Sequence, residues 1–223
     1  MNKLITILAL IVASFGFSVA NAGQFGLGVT GSIASIDASG TEADKDGTTD
    51  SSLRTASAGN NAMISSIFAE YSLDNGFTVG FDHIPGSANV SNKTITRTDD
   101  SAESAQDGNR SANAEIENHN TFYAELPIHA GLYVKAGLLE MDVNATESDT
   151  VTTAGSYGSV TIDGEMWGIG YRNSFGNNGF YKVEATKRTY DTITLNSTTS
   201  DKGNKVTADL DATLATFALG FNF

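Results

Sequence analysis

The chain of 223 residues carries 26 acids against 13 bases, a formal net charge of −13, which argues against a phosphate backbone and hence against nucleic acid as a partner. It has no cysteine, so a disulfide framework, a thiol nucleophile and a cysteine metal site are all excluded. With 23 glycines, 2 prolines and no apolar run after residue 22 long enough for a spanning helix, a membrane span would have to be a closed barrel, the strand architecture that leaves no unpaired edge in lipid.

The N-terminus opens with Lys3, an apolar run from Leu4 to Phe17, and then Ala20-Asn21-Ala22 before Gly23. This is the layout of a secretory signal peptide with an A-x-A cleavage site at Ala20 and Ala22. Residues 1–22 are therefore expected to be removed, leaving one domain over 23–223.

Alternating segments follow. The first predicted strand, 24–35, places Phe25, Leu27, Val29 and Ile33 on one face, and the second, 63–73, places Ile67, Ala69, Tyr71 and Leu73 there. Asp74-Asn75-Gly76 signals a tight turn into a third strand, 77–84, with Phe77, Val79 and Phe81. The fourth, 118–126, carries Phe122, Ala124 and Leu126, although the adjacent Tyr123 leaves its apolar face open. The turn Pro127–Gly131 leads to a fifth strand, 132–141, with Leu132, Val134, Ala136 and Leu138. A sixth, 160–172, carries Trp167, Ile169 and Tyr171, and after Gly176–Gly179 a seventh, 180–190, carries Tyr181, Val183 and Ala185. The eighth ends the chain with Phe217, Leu219, Phe221 and Phe223 backed by Thr216, Ala218, Gly220 and Asn222. Three short turns thus alternate with long polar stretches at 37–61, 86–117, 142–158 and 191–206, rich in Ser, Thr, Asp, Asn and Gly. That alternation is the signature of an outer-membrane barrel. The expected fold is all-β: an eight-stranded antiparallel up-and-down transmembrane β-barrel with short periplasmic turns and four long extracellular loops.

Alternation alone also fits a soluble lipocalin-like barrel with its apolar face inward. The uncharged second face of the first and eighth strands, small and unsuited to a water-exposed strand, favours aromatic residues toward lipid. The same inner face carries Glu70, Asp82, Glu125, Lys135, Arg172, Lys182 and Glu184 on the other strands, all near a periplasmic turn. Four acids and three bases at one level predict a belt of compensating charges low in the barrel, since buried ions persist when paired.

The C-terminal strand ending on Phe223, together with this pattern, resembles the small bacterial outer-membrane β-barrels: the OmpA transmembrane domain and the OmpX-type and opacity-type proteins. The resemblance implies an ion-paired interior and a location in the outer membrane of a Gram-negative bacterium. It also implies that Phe217, Leu219, Phe221 and Phe223 form the signal read by the barrel-assembly machinery, with periplasmic chaperones as earlier partners. Outer-membrane lipids and lipopolysaccharide are then its surroundings, and the loops could meet a surface partner.

The remaining chemistry is thin. Glu42, Asp44, Asp46 and Asp50 loosely suggest a calcium loop, but Leu53 stands where the closing Glu is needed, so a solvated acidic loop is expected and no metal or cofactor. His83, His119 and His129 are the only histidines, and with no activated nucleophile in view no enzyme is expected. The function that follows is a structural or surface-interaction role, in envelope integrity or adhesion through acidic loops. The alternative is a narrow channel for small or apolar solutes.

Overall fold

A computed structural model describes residues 23–46, 50–97, 108–149, 157–196 and 205–223. Residues 1–22, including Ala20 and Ala22, lie outside them. The described residues form ten strands: β1 Gln24–Asp46, β2 Asp50–Ser72, β3 Thr78–Ile84, β4 Ala88–Arg97, β5 Gly108–His129, β6 Leu132–Asp149, β7 Ser159–Phe175, β8 Gly179–Tyr190, β9 Ile193–Asn196 and β10 Lys205–Asn222. Neighbours pair antiparallel in the order β1-β2-β3-β5-β6-β7-β8-β10, and β10 returns to β1 from Gly26↔Asn222 to Ala43↔Lys205. The wall is thus a closed eight-stranded barrel, with β4 continuing the β3 position along β5 and β9 continuing the β8 position along β10. The last residue is tied in as well, Phe223 N donating to Phe25 O at 2.8 Å.

The short ends are built from local chemistry. Ala130 and Gly131 both have positive φ, 50° and 85°, as the two-residue hairpin between β5 and β6 requires: its backbone twist matches that of the strands only when both central residues are left-handed. At the other end the strands run far past the expected loop boundaries. β1 and β2 have 23 residues each, whereas a tilted membrane strand needs about 9–11. Much of 37–61, 86–117, 142–149 and 205–206, read from the sequence as loop, is therefore strand. The acidic residues Glu42, Asp44, Asp46 and Asp50, expected to be a solvated loop, lie on the paired ends of β1 and β2, with Glu42↔Arg54 and Asp46↔Asp50 in register.

The polarity of the two faces inverts along β10 and β6. On β10, Phe221, Leu219, Phe217 and Ala215 point outward while Gly220, Ala218 and Thr216 point inward; higher up, Thr213, Asp211 and Asp209 point outward while Leu214, Ala212 and Leu210 point inward. On β6, Leu132, Val134, Ala136 and Leu138 face out below, and Leu139, Met141 and Val143 face in above, with Glu140 and Asp142 on the outer side. The lower half is built for hydrocarbon, with an exposed apolar belt that includes Phe25, Leu27, Ile33, Trp167, Ile169 and Val183. The upper half is built for water and holds its own oily core of Leu139, Met141, Val143, Ile162, Met166, Tyr190, Ile193, Leu195 and Leu210. The sequence reading made the whole interior polar. The upper interior is apolar, because strands that leave the bilayer must bury apolar side chains inward, away from water.

Candidate functional site: a charge lattice across the lumen

The lower interior is assembled in layers that begin with glycine. Gly28 pairs with Phe68, Gly80 with Tyr123, Gly170 with Tyr133 and Gly220 with Phe180. In each case a Cβ on the glycine would overlap the facing ring, so the missing side chain lets the ring lie against the barrel wall. The rings then carry the cations. Lys135 Nζ sits 3.9 Å from the Tyr123 ring centroid, Arg172 Cζ 3.8 Å from Phe180 and Lys182 Nζ 4.7 Å from Phe68, within the range of cation–π attraction.

The carboxylates close the layer. Lys182 Nζ donates to Glu70 Oε2 and Glu125 Oε1, each at 2.8 Å, and lies 3.7 Å from Glu184 Oε1. Lys135 Nζ donates to Glu184 Oε2 at 2.8 Å and stands 3.7 Å from Glu125 Oε1. Arg172 pairs with Glu70 Oε1. Tyr123 OH donates to Glu70 at 3.1 Å and Tyr133 OH to Glu184 at 2.6 Å. Three acids and three bases thus form one connected, neutral lattice, with β2 and β5 on one side of the barrel joined to β6, β7 and β8 on the other. Glu70, Glu125, Lys182 and Glu184 are all buried. In such a setting desolvation opposes each charge, so the lattice persists because every member has a partner.

Asp82 stands apart from the other belt residues named from the sequence. It accepts from Ser66 Oγ at 2.5 Å and makes no ion pair among the described residues. The reason is height: Asp82 pairs across with Phe68 and Thr121, one step above Glu70 and Tyr123, beyond reach of the lattice cations. Its opposite number, missed in the sequence, is Arg188. This buried cation donates to His119 Nε2 at 3.3 Å and has no carboxylate within ion-pair distance among the described residues. Its signal was available, since Arg188 shares the inward parity of Lys182, Glu184 and Thr186.

The histidines do not converge. His83 bonds Asn120 at 2.8 Å on the outer side of the wall, whereas His119 points inward to Tyr190 OH at 2.8 Å. His129 sits exposed at the β5–β6 turn. Asn118, with φ 51°, sits in the bulge that turns His119 inward. Phe217, Leu219, Phe221 and Phe223 are all exposed on the lipid face.

Among the described residues two seams in the wall lack ladder pairing: β9 pairs only with β10, which leaves β7 without a strand partner on that side above Gly164↔Tyr190, and a second seam lies beside β2. β2 meets β3 from Ser72↔Thr78 to Ile67↔His83, and above that level no residue of β2 pairs with β3 or β4. Pro85 follows Ile84, and β4 pairs only with β5. Met63, 90 % exposed, flanks this second seam outside.

No family model and no curated protein matches the chain. Among solved structures, the outer membrane protein OprG of Pseudomonas aeruginosa matches over 91% of this chain and 97% of its own, at 11% identity and a TM-score of 0.52. The outer membrane protease OmpT of Escherichia coli matches over 90% and 97%, at 8% identity and 0.45. The outer membrane protein AlkL matches over 92% of each chain, at 10% identity and 0.44. At these identities the likeness is one of fold. The chain has the fold of the small bacterial outer-membrane β-barrels, a class that resides in the outer membrane of Gram-negative bacteria.

Proposed function

We propose that the protein is a sealed outer-membrane barrel whose work is structural and external: the lower half anchors, and the upper half presents an acidic collar to the cell's surroundings. The observation that carries this reading is the neutral Glu70–Glu125–Glu184 and Lys135–Arg172–Lys182 lattice, which fills the lumen with mutually bonded side chains. An ion crossing it would have to displace paired charges in a low-dielectric interior, at several kcal/mol for each ion left unpaired. Outer-membrane lipids and lipopolysaccharide are its natural neighbours, and the upper outer face, with Asp37, Glu165, Asp191 and Asp209 exposed, is where a surface partner would meet it. The aromatic strand ending at Phe223 serves the barrel-assembly machinery during biogenesis. Catalysis has no part in this reading. Planar-bilayer recording tests it: the protein should give no steady single-channel current, while Lys182→Ala should give flickering openings. Steady currents from the unaltered protein that interior substitutions abolish would overturn it.

The β2–β3 seam favours a second reading, a narrow route for small apolar solutes that leaves sideways into the outer leaflet. Uptake of a small alkane into proteoliposomes would support it. Uptake no faster than through protein-free liposomes would end it.

A further inference from the structure

Just above the lattice lies a small internal cavity of about 20 Å3, bounded by residues that include Asp82, Thr121, Thr186 and Arg188. Four buried polar atoms of these side chains have no hydrogen-bond partner among the described residues: Asp82 Oδ1, Thr121 Oγ1, Thr186 Oγ1 and Arg188 Nε. Their residues are each at least nine-tenths buried, with exposures of 9%, 1%, 4% and 9%. β3 and β8 stand opposite each other in the barrel, with three strand positions between them either way round. Asp82 and Arg188 therefore line this one cavity from opposite walls, an acid and a base with no ion pair between them among the described residues. Ile64 and Ser66 of β2 and Ile84 of β3 line the same cavity, at the height where β2–β3 pairing stops.

We propose that this layer is a binding site for the uncharged hydroxyl head of a single-chain amphiphile, a primary alcohol, that enters head first through the β2–β3 seam with its tail left in the outer leaflet. Size selects the head: a volume of 10–15 Å3 admits one water, so about 20 Å3 accepts a hydroxyl and nothing much larger. Charge selects it again. The lining carries both signs, Asp82 and Glu184 with Lys135, Lys182 and Arg188, so a charged head gains one neighbour, meets another of its own sign and is in addition larger and harder to desolvate, whereas a hydroxyl can donate to Asp82 and accept from Arg188. An alkane leaves all four polar atoms unpaired, and buried unpaired groups are costly. Ile64 and Ile84 at the seam, with Met63 outside, give the tail an apolar path. The site requires the seam but not passage through it, so a barrel that binds the alcohol without moving it keeps this inference and ends only the channel reading.

The test uses the full mature barrel in lipid nanodiscs with four probes of equal chain length: 1-octanol, octanoate, octylammonium and octane. Octanol should shift the methyl NMR signals of Thr121 and Thr186 and raise the unfolding temperature, with the other three weaker. Asp82→Asn and Arg188→Gln should each weaken octanol binding about tenfold, the loss of the charge that strengthens one hydrogen bond. If either single variant fails to fold, the doubly neutral Asp82→Asn/Arg188→Gln protein takes its place and should lose octanol binding. A reducible cross-linker between cysteines introduced at Ser65 and Pro85 should block binding, and reduction should restore it. Octanoate binding as tightly as octanol, methyl signals unmoved by every probe, or a cross-link without effect would each overturn the proposal.

Discussion

The two halves of this barrel solve opposite solvent problems with the same strands. Below, hydrocarbon lies outside, and the wall turns Phe217, Leu219 and Phe221 outward while ions and glycines fill the lumen. Above, water lies outside, and Leu210, Leu214, Leu139 and Met141 turn inward. The period of two never breaks on β10; what changes is which parity is apolar. Cohesion differs accordingly. The lower lumen is held by a charge lattice in which each member depends on its neighbours, and the upper lumen by packing, which tolerates local change more readily. The hydrogen-bonded wall is common to both.

The harshest way to break the comparison is to remove the central cation. Lys182→Ala leaves Glu70 and Glu125 without their closest shared partner and should cost about 3–5 kcal/mol, read by urea unfolding of the folded barrel. A loss under 1 kcal/mol would mean that solvent, not pairing, stabilises the belt. In the upper half, Leu139→Ala removes a fully buried side chain and should cost about 2–5 kcal/mol. Hydrogen exchange should then rise in upper β6 and β7 while the lower strands stay protected, and uniform loss of protection would show that the halves do not act separately.

A paired substitution on β8 sharpens the boundary. Val183 and Thr189 share one outward parity. Arginine at 183 should cost about 2–4 kcal/mol and at 189 about 0–1, following depth in the bilayer. Equal costs at the two positions would place the hydrocarbon edge elsewhere. The smallest effect lies on the outer surface above the bilayer. Hydrogen bonds from Thr161 (2.6 Å) and Asn118 (2.9 Å) hold the Asp142 carboxyl below its ordinary value of 3.8. A lowered carboxylate stabilises the fold above its unfolded value and loses that contribution as pH falls through the folded one. An NMR titration should therefore find the Asp142 midpoint below 3.8, and Thr161→Val should raise it; a midpoint unmoved by that substitution would discount the bond.

The lower half was legible because its code is local. Phe25, Leu27 and Val29 against Gly26, Gly28 and Thr30 state both faces within six residues, and Asp74-Asn75-Gly76 states the turn. The upper half was obscured by an assumption. Once apolar residues were assigned to lipid, Leu139, Met141 and Val143 fell on the wrong parity and looked like strand ends. The apolar alternation of Val206, Ala208 and Leu210 passed unseen for the same reason. Asp82 was grouped with the belt by parity, which fixes a side chain's face but not its height.

Strand parity, turn chemistry and the aromatic end were thus determined by the sequence, because each depends on residues a few positions apart. Only the tertiary structure decided which carboxylate meets which cation, that Asp82 and Arg188 line one cavity without an ion pair between them, and that β2 stops pairing with β3 above Ile67↔His83. Those facts depend on the stagger of strands far apart in the chain, and stagger is set by the closure of the barrel as a whole.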